Sequence, residues 1–158
     1  MNEIIARPAE IIIAQGSSII TSLALGSSLG ICLYDAKKQI GGYVHSILPE
    51  ESAQGKQDLK YVNNAVRKLY EAMLKAGSDT ENLQAKLIGG AKLFHLPEEL
   101  HGYDVGKANV KSACNVLEQL GIPVVKEDVG NVYGRTIHFH VEDGLVYIET
   151  RNKHLYFI

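Results

Sequence analysis

The run Leu29-Gly30-Ile31-Cys32-Leu33-Tyr34 is the tightest constraint in this chain. It is apolar almost without a break. Gly26-Ser27-Ser28 bounds it on one side and the polar Asp35-Ala36-Lys37-Lys38-Gln39 on the other. A short apolar run between turn residues reads as a strand buried on both faces. A second run, Ile40–Leu48, follows the polar loop, and the pair predicts an antiparallel hairpin. Upstream, Ile4-Ile5, Glu10–Ala14 and Ser18–Leu23 are β-branched runs separated by Pro8 and Gly16-Ser17, which predicts three further short strands.

Two segments change the period from two to about 3.6. Asp58–Ala76 carries Leu59, Val62, Val66, Leu69, Met73 and Leu74 on one helical face, with Gly77 placed to end it. Lys107–Leu120 does the same with Val110, Ala113, Cys114, Leu117 and Leu120, and Gly121 is its stop. Ala85–Ile88, Ile122–Lys126, Thr136–Val141 and Leu145–Thr150 read as strands, the last two joined as a hairpin at Glu142-Asp143-Gly144. The apolar end His154–Ile158 is expected to dock as a short strand. The sum is an α+β fold, two main helices packed on a mostly antiparallel sheet system.

Composition narrows the class. A chain of 158 residues, 46% apolar and 22% charged, suits one globular domain spanning 1–158. Its formal charge of −2 lacks the basic excess of a nucleic-acid binder. No segment reaches the roughly 18 apolar residues of a membrane span. Nor does Met1-Asn2-Glu3, followed by Arg7-Pro8, form a signal peptide. The expectation is a cytoplasmic domain with no membrane insertion and no nucleic-acid partner. Cys32 and Cys114 have no CxxC or Cys/His spacing, so they read as buried free thiols, neither disulfide nor zinc ligands.

Gly26-Ser27-Ser28-Leu29-Gly30 matches G-x-S-x-G, the nucleophile elbow of serine hydrolases. The elbow requires a strand-to-helix turn, whereas a strand comes next here, so a Gly/Ser turn is the competing reading. His45 adds to the case. It lies 17 residues after Ser28 in the next strand, where a hairpin can bring imidazole and hydroxyl together as an activated nucleophile pair. A histidine satisfied within a strand is the alternative.

These segments resemble a known family. Leu25-Gly26-Ser27-Ser28, Tyr34-Asp35 and Gly41-Gly42-Tyr43-Val44-His45-Ser46-Ile47-Leu48-Pro49 are similar to the L-G-S-C, Y-D and G-G-x-x-H-x-x-L-P of CheD, the chemoreceptor glutamine deamidase. The likeness continues in order through Lys60-Tyr61, Ala85-Lys86, Gly89-Gly90-Ala91, Phe94, Gly106 with Asn109, Gly121-Ile122-Pro123, Glu127-Asp128-Val129-Gly130 and Gly134-Arg135. It implies an α/β/β layered sandwich, also seen in cytotoxic necrotizing factor toxins. The activity it implies converts receptor glutamines to glutamates through an acyl-enzyme, releasing ammonia without metal or cofactor. By position the nucleophile falls on Ser28, the base on His45 and an orienting hydroxyl on Ser22. Amides around Gly26, Ser27 and Ser28 are the candidate oxyanion hole. The partners implied are chemoreceptors (methyl-accepting chemotaxis proteins) and a CheC-like phosphatase.

Two departures stand out. Ser28 occupies the family's cysteine position and Ser22 its threonine position. A serine hydroxyl is far less acidic than a thiol, whose pKa is near 8.5. Three readings of Ser28 stay open: an engineered change, a natural variant with slow activity, or a binding adaptor without catalysis. Asn63 and Asn131 also depart from the family pattern. Elsewhere, His138 and His140 share a strand face and read as packed or solvated. His95, His101 and His154 read as exposed, Gly89-Gly90 as a backbone turn, and Lys86 and Arg135 as structural or surface cations.

Overall fold

The computed structural model describes residues 2–93, 103–152 and 154–158. In chain order the elements are β1 (Asn2–Ala6), β2 (Ile11–Gln15), β3 (Ser18–Leu25), β4 (Leu29–Asp35), β5 (Ile40–Ser46), α1 (Val62–Lys75), a 3-10 turn (Thr80–Asn82), β6 (Leu83–Gly89), α2 (Val105–Leu120), β7 (Val124–Val129), β8 (Arg135–His140), β9 (Val146–Thr150) and β10 (Leu155–Phe157). They form two five-stranded sheets, ordered β1-β3-β8-β9-β10 and β2-β5-β4-β6-β7. Among the described strands, only β1/β3 and β6/β7 form parallel ladders. The α+β reading and the mostly antiparallel pairing hold.

Core composition shows why β4 is apolar at nearly every position. Leu29, Ile31 and Leu33 pack with Val62, Val66, Leu69 and Met73 of α1 and with Ala113, Val116 and Leu117 of α2. Cys32, on the opposite face of the strand, packs with Tyr43, Ile137 and Phe139 between the sheets. Because alternate residues serve opposite faces, a strand in the middle layer needs apolar side chains on both. The order of layers is helices, inner sheet (β2-β5-β4-β6-β7), outer sheet (β1-β3-β8-β9-β10). Gly41 and Gly42 of β5 let both neighbours approach. A Cβ on Gly42 would lie 2.7 Å from Met73 Sδ, and one on Gly41 would lie 2.9 Å from Val141 Cγ2.

Element ends differ from expectation for local reasons. Helix α1 starts at Val62, four residues after Asp58. The intervening Asp58–Tyr61 is a turn, since the Lys60 carbonyl accepts from the Ile47 and Leu48 amides and Asp58 N donates to Glu51 Oε1 at 2.9 Å. Helix α2 begins at Val105, two residues before Lys107, because the Asp104 carboxylate caps Lys107 N at 3.1 Å. The β8–β9 hairpin and the tail strand β10, antiparallel to β9, form as expected. Cys114 is only half-buried, against the expected burial, while Cys32 is buried as expected and both thiols are free. Among the described residues, no helix is long and apolar enough to cross a membrane.

One contact between α2 and the end of β6 is close enough to test. A Cβ on Gly106 would press into the Gly90 carbonyl and come within 2.6 Å of Ala91 O. These atoms are backbone, with little freedom to yield. Gly106→Ala is expected to destabilise the fold by about 2–3 kcal/mol, the upper part of the overpacking range. Urea unfolding checks this: the midpoint should fall with an unchanged m-value.

Candidate active site

Strand β3 ends in an irregularity that sets the next turn. Its register against β8 shifts between Ser22 and Leu25, and Ala24 has φ 56°. Bulges of this kind bend a strand and re-aim its downstream end. The chain then crosses from the outer to the inner sheet through Gly26-Ser27-Ser28, and β4 begins at Leu29. All three carbonyls of this short loop are held. Gly26 O accepts from Ala91 N at 3.0 Å, Ser27 O from Asn109 Nδ2 at 2.9 Å, and Ser28 O from Gly90 N at 2.9 Å. In a trans peptide the N–H points away from the carbonyl of the same plane. Tying Gly26 O and Ser27 O therefore directs the Ser27 and Ser28 amides away from Ala91 and Asn109, and no described residue accepts from either.

The hairpin brings His45 to this loop. In the β4–β5 ladder His45 lies opposite Gly30, two residues after Ser28. His45 Nε2 is 2.8 Å from Ser28 Oγ. The residue is 7% exposed, and its backbone carbonyl accepts from Ala9 N at 2.8 Å. Burial disfavours the imidazolium and lowers the His45 pKa below the ordinary value. At neutral pH the ring is uncharged, with Nε2 able to accept the Ser28 proton.

An NMR titration of the ring should find a midpoint below the usual value of about 6.5. The unfolded chain takes up the proton first as pH falls, so the contribution of neutral His45 to stability is complete above about pH 6.5. It is lost progressively as pH drops toward the folded value.

Ser22 sits differently. It is fully buried on the face of β3 turned to the inner sheet, beside the Tyr43 phenol. Neither hydroxyl has a well-formed hydrogen bond, and burial pushes the Tyr43 pKa upward. Among the described residues none hydrogen-bonds His45 Nδ1, so the structure brings Ser28 and His45 together and leaves Ser22 against Tyr43. Its neighbour Thr21 turns to the other face, where its hydroxyl donates to Glu3 Oε1 at 2.8 Å and lies 3.0 Å from His138 Nδ1.

Several residues that support the loop carried little signal in the sequence. Gly89 and Gly90, read as a turn, do turn the chain with φ 115° and 62°, and Gly90 N also holds Ser28 O. Asn109 lies in α2, remote in sequence from the loop it binds, and only its membership of a motif singled it out. Arg135 is buried, structural as expected, and forks onto Asp128 at 3.3 and 3.4 Å. Lys86 is also structural, donating to the Gly144 and Ile158 carbonyls at 2.9 Å each.

His138 and His140 do share the outer face of β8. His138 lies 3.7 Å from Glu149 and His140 packs against Tyr147 with the rings tilted by 51°. His154 is exposed, while His95, His101 and Phe94 lie outside the described residues. Among the described residues no three His, Cys, Asp or Glu side chains gather closely enough to hold a metal ion.

Comparison with known proteins places this geometry in a family. A family described as "CheD chemotactic sensory transduction" matches residues 47–150, beginning two residues beyond His45. Curated relatives align across the site itself. A "Probable chemoreceptor glutamine deamidase CheD" of Caldanaerobacter subterraneus subsp. tengcongensis is 38% identical over 140 residues, 87% of this chain and 86% of the relative. A protein of the same description from Archaeoglobus fulgidus is 35% identical over 149 residues, 94% of this chain and 93% of the relative. Another, from Oceanobacillus iheyensis, is 38% identical over 154 residues, covering 95% and 92%.

Proposed function

The chain belongs to the CheD family, and from that premise we propose that it is a protein-glutamine deamidase acting on chemoreceptors. The observation that carries the reading is the 2.8 Å contact between Ser28 Oγ and His45 Nε2, next to two backbone amides with no acceptor among the described residues. Ser28 Oγ attacks the carboxamide carbon of a receptor glutamine while His45 takes its proton. The carbonyl π pair moves onto oxygen, and the Ser27 and Ser28 amides receive the oxyanion. As the C–N bond breaks, His45 returns the proton to nitrogen and ammonia leaves. Water, deprotonated by the same ring, hydrolyses the ester, leaving glutamate and regenerating the hydroxyl. Ser22, on the strand leading into the loop, stays against Tyr43 and takes no part in these steps.

The hydroxyl at position 28 favours a second reading. An alcohol beside a neutral, buried imidazole is a weaker nucleophile than the thiolate such a site can stabilise. A chain of this kind can keep its surface and bind chemoreceptors or a CheC-like phosphatase without turnover. Ammonia release from a glutamine-bearing receptor fragment separates the readings, measured for this chain, Ser28→Cys and Ser28→Cys with His45→Ala. Activity that depends on His45 supports the deamidase. Silence in all three leaves the adaptor.

A further inference from the structure

Asn109 is fully buried in α2, and its side chain reaches two loops at once. Its Nδ2 donates to Ser27 O at 2.9 Å and to Ile47 O at 2.9 Å. Both acceptors are carbonyls, so only the amide nitrogen can make these bonds. Asn109 Oδ1 is buried with no partner among the described residues. Burying an unsatisfied oxygen is unfavourable, and the two donor bonds are what the residue provides in return.

The two acceptors carry the meaning. Ser27 O belongs to the peptide whose N–H is that of Ser28, so the bond at Ser27 fixes the direction of the Ser28 amide. Ile47 lies two residues beyond His45, at the point where β5 ends. One carboxamide therefore ties the segment bearing the hydroxyl to the segment bearing the imidazole. Ser112, one turn further along α2, provides a contrast. Its hydroxyl donates to Pro49 O at 2.7 Å and does not touch the Ser28 loop.

We infer that Asn109 is a positioning residue, which sets the Ser28–His45 distance and aims the Ser28 amide at the developing oxyanion. The inference rests on the deamidase reading for its purpose, but its test does not need turnover. In full-length Ser28→Cys, the thiol at position 28 is titrated by its alkylation rate with iodoacetamide, read at that peptide by mass spectrometry. Held beside His45 and the two amides, the thiol should ionise well below its ordinary value of about 8.5.

Adding Asn109→Ala should move the midpoint up by about one pH unit or more and slow alkylation at neutral pH about tenfold. Asn109→Ser keeps one donor and should fall between, and it decides the matter if Asn109→Ala does not fold. Ser112→Ala should lower the melting temperature and leave the midpoint where it was. Unchanged midpoints in the Asn109 variants, with lowered melting temperatures alone, would overturn positioning and leave ordinary structural support. A normal midpoint in Ser28→Cys itself would also overturn it. A shifted midpoint without ammonia release would uphold Asn109 and remove the deamidase reading.

Discussion

Ser28→Cys is expected to raise ammonia release from a glutamine-bearing receptor fragment by about a thousandfold or more, in line with the effects of gaining or losing a covalent nucleophile. The substitution exchanges oxygen for sulfur on a loop whose three carbonyls are fixed by backbone and Asn109 donors. None of those bonds involves the side chain at position 28. His45 already lies within hydrogen-bond reach of that position. Burial lowers the basicity of the ring, which leaves it poorly matched to an alcohol and adequate for a thiol near pKa 8.5. The thiolate would in turn favour the imidazolium, so the His45 titration midpoint should rise in Ser28→Cys. His45→Ala in the same background should bring the rate back to the level of the unmodified chain. Equal rates for the serine and cysteine forms would instead make Ser28 a competent nucleophile.

Arg135→Met is expected to cost about 3 kcal/mol or more of folding stability, at the lower end of the range for breaking a buried ion pair. The guanidinium is inaccessible to solvent, and the Asp128 carboxylate it forks onto is 18% exposed. That partial solvation, and the Tyr156 hydroxyl that also donates to Asp128, keep the loss from being larger. Arg135 also donates to Gly130 O at 3.0 Å, reaches Gly89 O and Tyr133 O at 3.5 Å, and stacks on the Tyr133 ring. Removing it takes the side-chain donor from Gly130 O and Tyr133 O where the outer sheet meets the end of the inner one, while Gly89 O keeps the Gly130 amide. A domain with a typical 5–15 kcal/mol of stability would lose a large fraction. Denaturant unfolding measures it directly. A change within 0.5 kcal/mol, the usual range for surface substitutions, would mean the cluster is solvated in solution.

Much of the site was legible in the sequence because it is built from neighbours. The β4–β5 hairpin is a local pairing, announced by the polar run Asp35–Gln39, of which Asp35 closes β4 opposite Ile40, and its register puts His45 opposite Gly30. That alone brings an imidazole to a hydroxyl two residues before Gly30. The alternation of side chains along a strand is enough to separate Thr21 from Ser22. Period reports which face a residue occupies, not what it meets across the layer. Ser22, the orienting hydroxyl the resemblance implied, faces the inner sheet, and there it meets Tyr43 rather than the ring of His45.

The sequence by itself determined the layers. A strand apolar at nearly every position must be covered on both sides, and two helical stripes and a second set of strands were available to cover β4. It also placed Ser28 in a turn and His45 in the adjoining strand, since both arise from local runs and breaks. Tertiary structure alone decided the parallel pairings β1/β3 and β6/β7, which no alternation of residues encodes. It also decided that Gly90, Ala91 and Asn109 hold the loop carbonyls and that Ser22 lies beside Tyr43. These contacts join residues far apart in the chain, and a hydrogen bond depends on the distance and direction left once the layers have packed.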